Sequence, residues 1–248
     1  MTPAAAIPVA VRSSLPTTNG VLAVCAHPDD ESFGLGGIVA ALTEAGIPVS
    51  VLCFTRGEAS TLHAGPGALA AVRSRELAAA AAALDVRRTE LLTYADGRLG
   101  GEPLEELAGH VHRLAGTVGA DTLLVFDLGG ITGHPDHQRA TEAALAAAAE
   151  NGYAVLAWAL PTDVGRALNA EFETAFVGRA DAEIDIVLPV DRNRQLAAIS
   201  HHTSQSTDNP VLWRRLELQG DVERLRWLQP ETLESSRSDT QKERTYCR

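Results

Sequence analysis

The chain has 248 residues, is 45% hydrophobic and carries 21 basic against 32 acidic residues, a formal charge of −11. That length suits one large α/β domain with a single substantial core, and the negative balance argues against a nucleic-acid partner, which needs a basic surface to meet phosphate. Three cysteines build no disulfide framework, and Cys25 and Cys53 sit in apolar runs, so a reducing cytoplasm is the expected location.

In chain order, residues 1–19 are expected to form a flexible N-terminal arm. Residues 1–10 are mildly apolar but broken by Pro3 and Pro8, and Arg12 comes after the apolar part, the wrong order for a secretory leader. No run approaches the roughly 20 apolar residues of a membrane span. Strands are predicted over 20–25, 48–54, 88–94, 121–126 and 153–159, and helices over 34–45, 68–84, 103–118 and 136–151. Strands that are apolar throughout, each leading into a helix, indicate a parallel sheet covered on both faces. The pattern predicts a single-domain, Rossmann-like fold over 20–228: a doubly wound, mostly parallel sheet with helices on both faces. Residues 183–188 alternate as an edge strand would, and 192–202 predict a short helix. Residues 229–248 are polar, lack an apolar period and form an expected mobile tail.

In such sheets ligands bind outside the carboxyl ends of the strands. The loops there, 26–33, 55–67, 95–102 and 127–136, hold nearly all the unusual polar residues of the chain. The first reads Ala26-His27-Pro28-Asp29-Asp30-Glu31. A helix cap explains one carboxylate at such a turn, but not two beside a histidine, and a cation would offset the cost of placing them at the edge of a core. Gly34-Leu35-Gly36-Gly37 comes next, but Val39 stands where the third glycine of a dinucleotide fingerprint belongs. The fourth loop runs on into Gly133-His134-Pro135-Asp136-His137, echoing the first. His27, Asp30 and one of His134 or His137 make three ligands with a fourth position open, the pattern of a catalytic zinc site.

These motifs carry a resemblance. AHPDDE after the first strand and GHPDH before a later helix are similar to those of the zinc-dependent deacetylases that include N-acetylglucosaminyl-phosphatidylinositol de-N-acetylase and the LmbE-like bacterial enzymes. Thr55-Arg56-Gly57-Glu58, Arg73-x-x-Glu76, Asp96-Gly97-Arg98-Leu99 and His202-x-Ser204-Gln205 match further family patterns in order, over residues 20 to 205. The resemblance implies that His27, Asp30 and His137 bind Zn2+ or another divalent metal and that Asp29 is the general base. It implies that His134 stabilises the oxyanion or protonates the leaving amine, that Asp136 orients a histidine, and that Arg73, Asp96 and Glu58 meet substrate. Asp85 replaces a frequent glycine, Arg192 or Arg194 a frequent lysine, and Thr132 a tyrosine found in mycothiol-pathway relatives.

The expected activity is hydrolysis of an N-acetyl group on a glucosamine-type sugar or glycosylated metabolite. Its rivals are an amidase acting on a larger thiol-sugar or antibiotic conjugate, a non-catalytic sugar- or metal-binding module, and a nucleotide-dependent oxidoreductase. The expected partner is a small N-acetylated amino sugar, with an exposed sheet edge available for a homo-oligomer.

Overall fold

A computed structural model describes residues 13–62 and 69–229. The expected arm over 1–12, the expected tail over 230–248, Cys247, His63 and the rest of the second loop up to residue 68 lie outside the described residues.

The chain runs β1 (Val21–Cys25), α1 (Asp30–Phe33), α2 (Gly36–Glu44), β2 (Val49–Thr55), α3 (Leu69–Ala83), β3 (Arg88–Tyr94), α4 (Leu104–Val118), β4 (Thr122–Phe126), a distorted turn α5 (Gly130–Gly133), α6 (Pro135–Asn151) and β5 (Ala154–Trp158). It continues through β6 (Leu160–Pro161), α7 (Thr162–Phe172), β7 (Gly178–Arg179), β8 (Ile186–Pro189), α8 (Asn193–His201), α9 (Thr203–Ser206), α10 (Pro210–Gln219) and β9 (Val222–Leu228). The main sheet has seven strands in the order β3-β2-β1-β4-β5-β9-β8. The first five are parallel, and β9 pairs antiparallel with β5 and with β8.

β1 shows why a central strand is apolar throughout. Val21, Ala23 and Cys25 enter one core with α2, α3, α7 and α8, while Leu22, Val24 and Ala26 enter a second core with α4 and α6. Side chains alternate between faces, and each face is buried, so no position in this strand can be polar. The helix ends obey local rules. Pro103 and Glu105-Glu106 open α4 and Gly119, in the left-handed conformation, closes it. Pro135 opens α6 at its first turn, where a missing N–H is harmless.

The nine elements predicted through residue 160 are present within about two residues of their expected ends, a normal uncertainty for boundaries. The strand expected over 183–188 forms slightly later, at the sheet edge, as β8. β9 has no counterpart among the predicted strands, because Glu223, Arg224 and Arg226 make it look polar. Glu223 is buried and closed in a network: its Oε1 meets Arg192 at 2.6 Å and its Oε2 accepts from Trp158 Nε1 at 2.6 Å. Residues 13–19 form no regular element, yet Leu15 packs on the core and Asn19 Nδ2 donates to Asp121 at 2.6 Å.

The strand order reverses between β1 and β4, since β2 lies to one side of β1 and β4 to the other. A crevice opens at such a switch point, and the two histidine motifs follow these two strands, the second by way of the turn α5.

Candidate active site

The first motif is built on strain. Asp29 has φ 117°, a conformation costly for a side-chain-bearing residue, by roughly 1–3 kcal/mol. Two side chains hold it. Glu31 Oε2 accepts from the Asp29 N–H at 3.0 Å; Arg73 donates to the Asp29 carboxylate at 2.8 Å and to the carbonyl of Pro28. Glu31 is fully buried, and its other oxygen accepts from Ser32 Oγ at 2.6 Å and pairs with His202 Nε2 at 2.6 Å. The short α1 then returns Asp30 toward the strand end, where its Oδ2 accepts from the backbone N–H of Ala26 and His27, each at 2.9 Å.

The second motif enters a helix without strain. His134 caps α6, its Nδ1 accepting from the Asp136 N–H at 3.2 Å. An amide can only donate, so a neutral His134 carries its proton on Nε2. One turn on, His137 places Nδ1 3.1 Å from the carbonyl of Gly130, which leaves Nε2 free.

The two motifs meet at one point. His27 Nδ1 lies 3.1 Å from His137 Nε2, and Asp30 Oδ1 lies 3.1 Å from the same nitrogen. Nitrogen atoms of the His27, His134 and His137 rings fall within 4.8 Å of one another. Behind His27, its Nε2 sits 3.0 Å from Asp96 Oδ1 and 3.4 Å from Asp136 Oδ2 without a well-aligned hydrogen bond to either. Two imidazole lone-pair positions and a carboxylate oxygen facing each other suit a divalent cation, with Asp96 and Asp136 orienting His27 from behind.

Burial and the neighbouring charges shift His27, Asp30, Asp29 and His134. Burial opposes a proton on His27, yet Asp136, Asp96 and Asp30 outweigh it and raise its pKa to about 10. Burial also works against ionised Asp30, but His137 and His27 hold it well below the usual carboxylate range. Burial pushes Asp29 up to about 6 against the pull of Arg73. Burial lowers His134, helped by the neighbouring His137 and His27.

His27, Asp29, Asp30, His134 and His137 line a cavity of about 620 Å³ walled by Phe33, Phe126, Ile131 and Phe176. Of the residues expected to meet substrate, Arg73 lines it but is 3% exposed and committed to Asp29, Pro28 and Gly57. Asp96 lines it with one oxygen beside His27 and the other accepting from Ala59 N at 2.8 Å. Glu58 stands outside the lining and accepts from Asp96 N at 3.1 Å. Asp136 is fully buried, its oxygens taking the N–H groups of Gly97 and Leu99 at 2.7 and 3.1 Å. The pairing of Glu31 with His202, 171 residues apart, has no local signal in the sequence. Nor does the clasp of Glu76 on the Ser204 amide and hydroxyl, at 2.8 and 2.6 Å.

An open α/β sheet with a histidine–carboxylate cluster lining a cavity at its switch point is the class of architecture the chain presents. Residues 22–148, just over half of the chain, match the family model described as GlcNAc-PI de-N-acetylase. The chain belongs to this family of deacetylases. It is 34% identical over 180 residues to a 1D-myo-inositol 2-acetamido-2-deoxy-alpha-D-glucopyranoside deacetylase from Kineococcus radiotolerans, covering 59% of this chain and 50% of that one. The match therefore spans half of that relative's length. A probable N-acetyl-alpha-D-glucosaminyl L-malate deacetylase 2 from Bacillus anthracis is 28% identical, over 85% of this chain and 92% of its own. The solved N,N'-diacetylchitobiose deacetylase from Pyrococcus horikoshii shares the fold with a TM-score of 0.63 at 24% identity, over 86% of this chain and 85% of that one. Among the described residues no helix is long and apolar enough to cross a membrane.

Proposed function

We propose that this protein is a zinc-dependent hydrolase that removes the N-acetyl group from a glucosamine-type sugar conjugate, releasing acetate and a free amine. One observation carries the reading: His27 Nδ1, Asp30 Oδ1 and His137 Nε2 converge, while the neighbouring Asp29 is held out of that point by Arg73. The mixed nitrogen and oxygen donor set suits zinc, with His27, Asp30 and His137 as its ligands. A bound divalent cation would supply Lewis-acid polarisation of the amide carbonyl and a more acidic water.

The residues supply the rest. Asp29, with its pKa raised to about 6, is ionised at neutral pH yet basic enough to take a proton from the attacking water. His134 meets the substrate as a neutral Nε2–H donor, because its Nδ1 is occupied and its pKa is lowered. It therefore stabilises the developing oxyanion by hydrogen bonding, and the proton that Asp29 takes from the water is the one delivered to the departing amine. Asp136 and Asp96 keep His27 turned toward the cation, and Arg73 keeps Asp29 turned away from it. A pure binding module has no use for a strained carboxylate of this kind beside the ligands.

Acetate release from N-acetylglucosamine glycosides, measured after chelation and again after zinc is restored, tests the reading. Activity should vanish with the metal and return with it; undiminished turnover by metal-free protein would overturn the metal-dependent mechanism.

A further inference from the structure

Arg215 on α10 is 5% exposed, and it lines the cavity that holds Asp29 and the three histidines. A buried guanidinium is costly unless an anion meets it. The carboxylate that acts on it, Glu223, has its oxygens engaged by Arg192 and Trp158. Arg215 itself donates to the carbonyl of Phe33 and lies over the Trp158 ring, 5.2 Å from its centroid. Burial lowers its pKa to about 10, so it remains a cation at neutral pH. No carboxylate among the described residues comes within ion-pair distance of it, whereas Arg73, Arg179 and Arg192 in the same region each have one.

Its place in the cavity is informative. The Phe126 ring lies 5.0 Å from that of His137 and 5.8 Å from that of Trp158, which Arg215 overlies, so a chain of ring contacts links the histidine cluster to the guanidinium. Arg215 and the histidines line the same cavity, so one ligand can meet the histidines with its acetamido group and Arg215 with another part. We propose that Arg215 binds an anionic group, a carboxylate or a phosphate, on the part of the substrate beyond the acetylated sugar. The substrate class is then an acidic N-acetyl amino-sugar conjugate. A planar guanidinium matches either anion with paired hydrogen bonds, and the net charge of −11 gives the protein no overall attraction for such a ligand. The inference rests on the deacetylase reading for the direction of the substrate, not for the existence of the anion site.

The test uses the full chain with three probes: the neutral methyl glycoside of N-acetylglucosamine, its glycolic acid glycoside, and N-acetylglucosamine 1-phosphate. Binding is measured by calorimetry and turnover by acetate release, for the wild type, R215Q and R215K. The wild type should bind one acidic probe about tenfold or more tighter than the neutral one, and the acid preferred tells carboxylate from phosphate. R215Q should lose that preference through KM rather than kcat, and R215K should lose part of it. Equal binding of acidic and neutral probes by the wild type would overturn the proposal. So would an equal loss on both in R215Q, which would make Arg215 a brace for Phe33. Should R215Q not fold, the wild-type preference and its partial loss in R215K decide. An Arg215-dependent acid preference without acetate release from any probe would leave the anion site standing and remove the deacetylase reading.

Discussion

The triplet His-Pro-Asp occurs twice at the site, at 27–29 and at 134–136, and the two copies do opposite things. In the first, the histidine faces the point of convergence, and the aspartate, forced to φ 117°, stands in the cavity. In the second, the histidine caps a helix, and the aspartate is fully buried behind the site, gripping Gly97, Leu99 and the back of His27. Proline stiffens both turns, so the difference comes from the backbone downstream of each. The chain after Asp29 enters a helix of only four residues, whose first residue, Asp30, turns its carboxylate back onto the N–H groups of Ala26 and His27, whereas Asp136 lies in the first turn of a regular helix of 17 residues. Identical tripeptides thus acquire their roles from the backbone they enter.

The largest expected effect separates the two aspartates. Asp29→Asn should retain metal and lower kcat by about 100- to 10,000-fold, the usual worth of a general base; near-normal turnover would remove Asp29 from that role. Asp136→Asn should act on the metal instead, weakening affinity about 10- to 100-fold as loss of a histidine-orienting group does. Competition with a chelator measures it, and unchanged affinity would mean that His27 is held well enough by Asp96. A smaller effect sharpens the first motif alone. Arg73 lowers the pKa of Asp29, so Arg73→Ala should raise it, and the acid limb of the pH profile of kcat/KM should move to higher pH. Activity well above that limb should change least. A limb that stays in place would show that Arg73 acts on Asp29 through shape and not through charge.

Four of the five parallel strands are legible in the sequence because both of their faces are buried, which writes itself as apolar runs such as Val21 to Cys25, whereas β3, at the sheet edge, is only partly buried and carries Arg88 and Glu90. β9 is not legible, because its buried face includes Glu223, and a charge reads as solvent-exposed until its partners Arg192 and Trp158 are known. The same limit applies to the site. His27, Asp30, His134 and His137 are visible as dense local motifs, and the structure gathers all four around one point. Glu31 is visible without its partner, because His202 reaches it across the fold. Arg215 is invisible, since nothing about an arginine in a helix rich in charge says that it faces a cavity. Asp96 and Glu58 are visible as motif members, but their neighbours are not: one faces His27 and the other props the first.

Gly57 has φ 63°, and a side chain there would occupy the space of the Arg73 guanidinium, which donates to the Gly57 carbonyl at 2.7 Å. This makes residue 57 a border between two parts of the molecule with different freedom to vary. On one side lie the strand end, Arg73 and Asp29, whose positions are interdependent to within an atom's width. On the other, Glu58 and Ala59 hold Asp96, and beyond them Thr61 and Leu62 line the cavity. Replacement of Thr61 and Leu62 is therefore a route to altered substrate range that leaves the hydrolytic apparatus in place, whereas any change at Gly57 itself reaches Asp29 through a single arginine.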